Sequence, residues 1–318
     1  MVIGHRTILG LAALALLAAC AGSSPSSLVP GASTHRLLST VSGAAGHAAN
    51  PGPVLYIANI DGQPGLGNIL VYSGSMHNPQ LIRTISKGTG RPFGMWVDSK
   101  NILYVANFPN KLPGSVTEFK PGASTPFREI TDVKGWPQAV AADAQGNVYV
   151  NESVQDEGYV QVFAPGSNSP KLTIDTGLGG YAFEPGGMGF DQAGNLIVGE
   201  EFNLKFGIVK IAPGSSKAIP LDVDLTGLSG PGLGIDKAGN MYVAANSGTS
   251  ISVFKPGQKE PYRSISSVVA YGYMNVTPDG AVYVASSRSS VSEIAPGSNT
   301  PTNIVNCTCS AQGAALSR

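Results

Sequence analysis

From residue 54 onward the chain alternates apolar and polar positions in short runs, the period-two pattern of half-buried strands. A Tyr-Val-Ala-Asn type segment recurs at Tyr56, Tyr104, Tyr149, Ile197, Tyr242 and Tyr283, at intervals of 41 to 48 residues. A turn precedes five of the six. It reads Asp143-Ala-Gln-Gly146-Asn147, Asp191-Gln-Ala-Gly194-Asn195 and Asp236-Lys-Ala-Gly239-Asn240, with looser forms at Asp98-Ser-Lys-Asn101 and Pro278-Asp279-Gly280. Gly and Asn tolerate positive φ, so these are tight hairpin turns. A third run follows each segment and ends at Tyr72, Phe119, Phe163, Ile211, Phe254 or Ile294, and a Gly-containing turn leads on to a fourth. No helical period appears beyond the first twenty residues.

Four short strands per unit, repeated about every 45 residues, predict the blades of a β-propeller. Residues 54–318 are enough for six blades of four antiparallel strands. The first lacks an innermost strand, because the chain arrives directly at Val54-Leu55-Tyr56. Gln312-Gly-Ala-Ala-Leu316 aligns with the innermost strands of other units and is expected to complete that blade and close the ring, leaving no free edge. Small residues (Gly94, Ala139, Ala141, Gly187, Gly189, Gly232, Gly234, Gly272 and Ala314) fall where six strands would converge on the axis. Gly186-Gly-Met-Gly189 belongs to this packing; no helix follows it, so it is not a phosphate loop.

Composition adds an address. Residues 1–20 hold a short polar start and an apolar run, Ile8 to Leu17, too short to span a bilayer. The run ends in Leu17-Ala-Ala-Cys20, which resembles the lipobox of bacterial lipoproteins, where the cysteine becomes the lipidated first residue. Residues 21–53, rich in Ser, Ala, Gly and Pro, read as a flexible tether. The propeller, residues 54–318, is then expected in an extracytoplasmic space at the cell envelope, touching the membrane through its lipid only. In a cell with two membranes the outer one is the expected address, since Ala21 rather than Asp follows the cysteine. The chain of 318 residues has 20 Lys and Arg against 20 Asp and Glu, a formal net charge of zero that argues against nucleic acid as partner. A single propeller is a complete fold, and a monomer is expected.

The Asp-x-x-Gly-Asn-x-Tyr-Val phrase and its spacing over residues 54–316 resemble the NHL-repeat propellers and, more distantly, the senescence-marker-protein/gluconolactonase family. The first resemblance implies a binding or scaffold module for a glycan, a peptide or an envelope protein. The second implies a lactonase-like hydrolase with Ca²⁺ or another divalent cation held by Glu, Asn and Asp in the central channel. The positions matching that ligand ring here are Phe93, Gln138, Gly186, Pro231 and Gly272, none a carboxylate or Asn, and a calcium ion wants six to eight oxygens. The site is not carried over, and no cofactor is expected. A purely structural envelope lipoprotein is the remaining alternative.

Candidate chemistry gathers in a second ring, three residues past each Tyr position: Asn59, Asn107, Glu152, Glu200, Ala245 and Ser286. Only one of Glu200 and Glu201 can share the orientation of the others. Two carboxyls one blade apart suit a cation, an acid/base pair with one raised pKa, or simple bonding to loop amides. Phe93, Phe108, Trp136, Tyr181, Phe183, Phe202, Tyr271 and Tyr273 are expected at the same face, where aromatic area beside polar rims suits a sugar or peptide. Asn59, Asn107, Gln138, Glu152, Glu200 and Trp136 are therefore the candidate ligand-binding residues, with no catalytic residue assigned. His77 is the only histidine past the tether, so neither a zinc cluster nor a central Ser-His-Asp triad is available. Cys307 and Cys309 would share one face of a strand, either as a local disulfide or as two inert thiols.

Overall fold

The computed structural model describes residues 52–60, 67–73, 78–108, 113–154, 157–178, 186–202, 205–226, 228, 232–244, 249–268, 273–287 and 289–317, without the side chains of 201, 202, 205 and 287. The chain divides into Met1–His47 and Ala48–Arg318, and every described strand lies in the second unit. Cys20, His35, His47, His77, Tyr181, Phe183, Pro231, Ala245, Tyr271 and Gly272 lie outside the described residues.

The 24 strands form six antiparallel sheets of four. Blades 2 to 6 are each built from consecutive strands, with innermost strands Arg91–Val97, Trp136–Ala142, Met188–Phe190, Gly232–Ile235 and Met274–Val276. Blade 1 takes its innermost strand, Ala311–Leu316, from the C-terminal end of the chain. That strand pairs antiparallel with Leu55–Asn59, setting Leu55 opposite Leu316 and Ile57 opposite Ala314. Ser317 clamps the seam: its amide donates to the Val54 carbonyl and its hydroxyl accepts from the Val54 amide. At the other end Ile60 N–H donates to Ser310 O.

The sheets stand radially, so alternate residues of each strand face the two neighbouring blades rather than core and solvent. Buried side chains accordingly fall into six clusters, one per blade interface. Tyr104 of blade 2, for example, packs with Val140, Val148, Val150 and Phe163 of blade 3. Fully buried Phe119, Phe163 and Phe254 anchor three of the interfaces, each contributing about 1.5–3 kcal/mol by removal from water.

The repeated Asp-x-x-Gly-Asn phrase is a hydrogen-bonding device. Asp143 Oδ1 accepts from the amides of Gln145 and Asn147, while Oδ2 takes the Asn147 amide group at 2.7 Å and the Tyr149 hydroxyl at 3.2 Å. Asp236 takes Asn240 and Tyr242 in the same way, and Asp98 takes Tyr104. Gly146 sits at φ 82°, a conformation a side chain resists. In blade 6 the capping position belongs to Thr277, one residue ahead of the Pro278-Asp279-Gly280 turn expected from the sequence: its hydroxyl accepts from the Ala281 amide at 2.9 Å.

Near the axis, small residues are a steric requirement. A Cβ on Gly187 would stand 2.3 Å from the backbone nitrogen of Leu233 in the next blade, and one on Gly94 2.6 Å from the carbonyl of Gln138. Gly187→Ala is therefore expected to lower unfolding stability by about 1–3 kcal/mol, measured as a shifted urea midpoint. An unchanged midpoint would mean that the inner strands do not approach this closely.

Candidate functional site

We call upper the face where innermost strands begin and second strands end, and lower the face of the Asp-x-x-Gly-Asn turns. The ring residues expected to open onto the upper face stand instead inside the blade interfaces. Asn107 has the same parity as Leu103 and Val105, so it faces blade 1; Glu152 shares the parity of Val148 and Val150 and faces blade 2. Exposure is 5% at Asn59, 4% at Asn107, 1% at Glu152 and 7% at Glu200.

Three of them satisfy the amide just before an innermost strand. Asn59 Oδ1 accepts from Ser310 N at 2.7 Å, Asn107 Oδ1 from Gly90 N at 3.1 Å, and Glu152 Oε2 from Gly135 N at 2.7 Å. A chain turning inward there leaves a buried N–H without a ladder partner, and the side chain supplies one. Glu200 departs from this pattern. Its Oε2 lies 3.0 Å from the Thr176 hydroxyl, which also contacts the carbonyls of Gly158 and Leu178. Gln138 sits in a bulge of its strand, buried, with Nε2 donating to Ser153 Oγ at 3.3 Å. Ser286 bonds to the hydroxyls of Ser290 and Ser292.

Burial sets the electrostatics. It pushes Glu152 up to about 7 against the lowering effect of the Gly135 amide. It pushes Glu200 up to about 8, opposed by the Thr176 hydroxyl and by the neighbouring Asn151 amide. One oxygen of each, Oε1, has no partner. Burial thus favours the neutral form of Glu200, while the Thr176 hydroxyl, set to donate to its Oε2, works against it.

Apolar packing narrows the channel midway, while toward the lower face it opens into a recess of about 760 Å³ lined in part by Trp96, Asp98, Asp143, Asp191 and Asp236. Gly94, Met95, Gly187, Met188, Leu233 and Tyr273 surround a void of only about 20 Å³ at the axis, room for about one water. Among the described residues no three His, Cys, Asp or Glu side chains converge. The two candidate carboxyls, Glu152 and Glu200, point into different interfaces, and Glu152 already accepts a backbone amide.

The upper face does carry a continuous aromatic strip. Phe93 and Phe108 stack at 5.0 Å between centroids, Phe108 meets Trp136 at 5.4 Å, and Phe93 meets Tyr273 edge-on at 6.3 Å. The Arg91 guanidinium lies 5.7 and 5.5 Å from the Phe93 and Phe108 centroids. Phe93, Phe108, Trp136 and Arg91 are all half-buried, so the strip presents flat apolar area with one charge on it. Beside it opens a recess of about 410 Å³, lined in part by Thr89, Asn107, Phe108, Ser115, Glu129 and Thr131. Of the six candidate residues, Trp136 lies in this strip and Asn107 lines the recess beside it. Arg91, Ser115 and Thr131 were not singled out from the sequence; Pro92-Phe93 opposite Asn107-Phe108 was the available signal. At the far seam of the ring, Cys307 and Cys309 are paired, with Cα atoms 5.2 Å apart.

No family model matches the chain, and no curated protein matches it. Solved structures do. A chain in the crystal structure of a nidogen/laminin complex is similar with a TM-score of 0.64 at 16% identity, over 84% of this chain and 99% of that one. A protein of unknown function from Bacteroides caccae is similar with a TM-score of 0.62 at 11% identity, over 85% and 100%. At these identities the likeness is one of fold: the chain is a six-bladed, all-β propeller.

Proposed function

We propose that this protein is a lipid-anchored, extracytoplasmic binding module whose upper face holds a sugar or peptide chain of an envelope component. The observation that carries this reading is the strip of Phe93, Phe108 and Trp136 with Arg91, lying beside a recess of about 410 Å³. Half-buried rings offer flat apolar area at small entropic cost, and the recess supplies the Ser115 and Thr131 hydroxyls and the Glu129 carboxylate. A propeller of the same architecture in a nidogen/laminin complex supports a role in binding other macromolecules. Anchoring rests on the apolar run that ends at Cys20; incorporation of labelled fatty acid, lost in Cys20→Ala, tests it.

The chain has two tryptophans, Trp96 and Trp136. Trp96 is half-buried at the opposite end of its strand, against Phe190 at 6.0 Å and beside the lower-face recess, so Trp136 is the reporter on the upper face. Titration with soluble cell-wall oligosaccharides and with their stem peptides is expected to change tryptophan emission for one of the two series. The change should disappear in Trp136→Phe, whose unfolding midpoint serves as the folding control. Emission that responds to neither series in folded protein would refute the assignment of this face.

A further inference from the structure

Blade 4 breaks the repeat at one point, and a cleft opens where it does. In blades 2, 3 and 5 a tyrosine of the second strand lies along the interface with the next blade and donates its hydroxyl to the turn aspartate, at 3.2–3.3 Å. Blade 4 has Ile197 in that place. Its aspartate keeps the rest of the device: Asp191 Oδ1 accepts from the Ala193 and Asn195 amides and Oδ2 from Asn195 Nδ2 at 2.8 Å. The fourth bond, from a phenol, is the one missing.

The cross-strand partner of this position changes as well. Opposite Tyr104 and Tyr283 stand Glu118 and Glu293, and opposite Tyr56, Tyr149 and Tyr242 stand valines. Opposite Ile197 stands Lys210. Glu118 is paired with Arg128 and Glu293 takes the Tyr283 hydroxyl at 2.7 Å. Lys210 is half-buried, and among the described residues no carboxylate lies within ion-pair distance of it.

A cleft of about 480 Å³ occupies this site between blades 4 and 5, a volume within the range of small-molecule pockets. Ile197, Ile235 and Met241 form its apolar wall, Asp191 lies at one end, and Lys210 and Lys255 carry its positive charge. Of the other two charges in the lining, Lys259 is bonded to Asp222.

We infer that the cleft between blades 4 and 5 binds a small phenolic carboxylate. Its ring takes the place of the absent tyrosine between Ile197 and Met241. Its hydroxyl donates to Asp191, and its carboxylate pairs with Lys210. Asp191 is half-buried and its Oδ2 holds only the Asn195 amide, so it can accept the phenol as the other turn aspartates do, and a charge-assisted pair is the stronger kind of hydrogen bond. The site lies toward the lower face and owes nothing to the aromatic strip, so it stands or falls separately from the proposed function.

Calorimetric titration of the full chain with 4-hydroxycinnamate tests the inference, with cinnamate and 4-hydroxycinnamamide as controls. One-to-one binding is expected, weaker by about tenfold or more for cinnamate, which lacks the hydroxyl, and for the uncharged amide. Ile197→Tyr restores the repeat residue and fills the cleft. It should lower the affinity at least about a hundredfold while leaving the unfolding midpoint at or above the parental value. Lys210→Met, on a side chain that reaches solvent, should weaken 4-hydroxycinnamate about tenfold and leave the amide unaffected. Absence of binding by the parent, or equal affinity in parent and Ile197→Tyr, overturns the site. Equal affinity for 4-hydroxycinnamate and cinnamate overturns the pairing with Asp191.

Discussion

Stability should fall as pH rises from about 4.5 to about 8, and the fall should vanish when Glu152 and Glu200 are replaced by Gln. Burial carries the two carboxyls from an ordinary value near 4.5 to about 7 and about 8. Between those limits the native state binds more protons than the unfolded chain, so unfolding free energy decreases with pH. The full contribution is present below pH 4.5 and is lost as pH passes through the native values. At about 1.4 kcal/mol for each tenfold change in proton affinity, the two groups together account for a difference on the order of several kcal/mol between pH 5 and pH 8. Gln at 152 keeps an acceptor for the Gly135 amide, and Gln at 200 keeps a partner for Thr176. The double variant should therefore be more stable than the parent at pH 8 and close to it at pH 5. Urea unfolding at the two pH values measures this; equal stability of the parent at both would mean that the carboxyls are solvated.

Removing residues 311–318 should cost the chain its ring. Ala311, Ala314 and Ala315 are buried and fill the innermost layer of blade 1, and the strand contacts blades 2 and 6 on either side. Its loss exposes the edge of Leu55–Asn59 together with two apolar interfaces, a combination that favours edge-to-edge association. The truncated chain is expected to be aggregated or to unfold at a midpoint lower by well over about 10 °C. A peptide spanning residues 306–318 should restore soluble monomer by strand addition. An unchanged melting midpoint in the truncated chain would show that the ring does not depend on this seam.

The blades were legible because a repeat multiplies weak signals. One Asp-Ala-Gln-Gly-Asn turn is ambiguous; five related turns at a fixed interval are not, and the missing strand at Val54 pointed to its substitute at Gln312. The direction of the polar ring was harder to read. A single strand shows two faces, and the sequence pattern alone does not say that both faces of a radial sheet meet other blades. Asn107 and Glu152 look like the rim of a channel until their parity with Leu103, Val105, Val148 and Val150 is compared with the interface clusters. The aromatic strip was half legible, because Phe108 follows Asn107 directly, whereas the reach of Arg91 over two rings depends on a bulge in its strand. Ile197 and Lys210 break the repeat openly, yet their meaning needed the tyrosine–aspartate bond seen in the other blades.

Ligand binding at the upper face is tested most directly by an array carrying both glycans and peptides from cell envelopes. The parent protein is to be compared with Phe108→Ala/Trp136→Ala after both have been shown to unfold at similar midpoints. The parent is expected to retain one ligand class and the double variant to lose it, while the linkage between Glu152, Glu200 and pH stays unchanged. Retention of the same ligands by both proteins would place binding elsewhere on the propeller and contradict the role assigned to the strip.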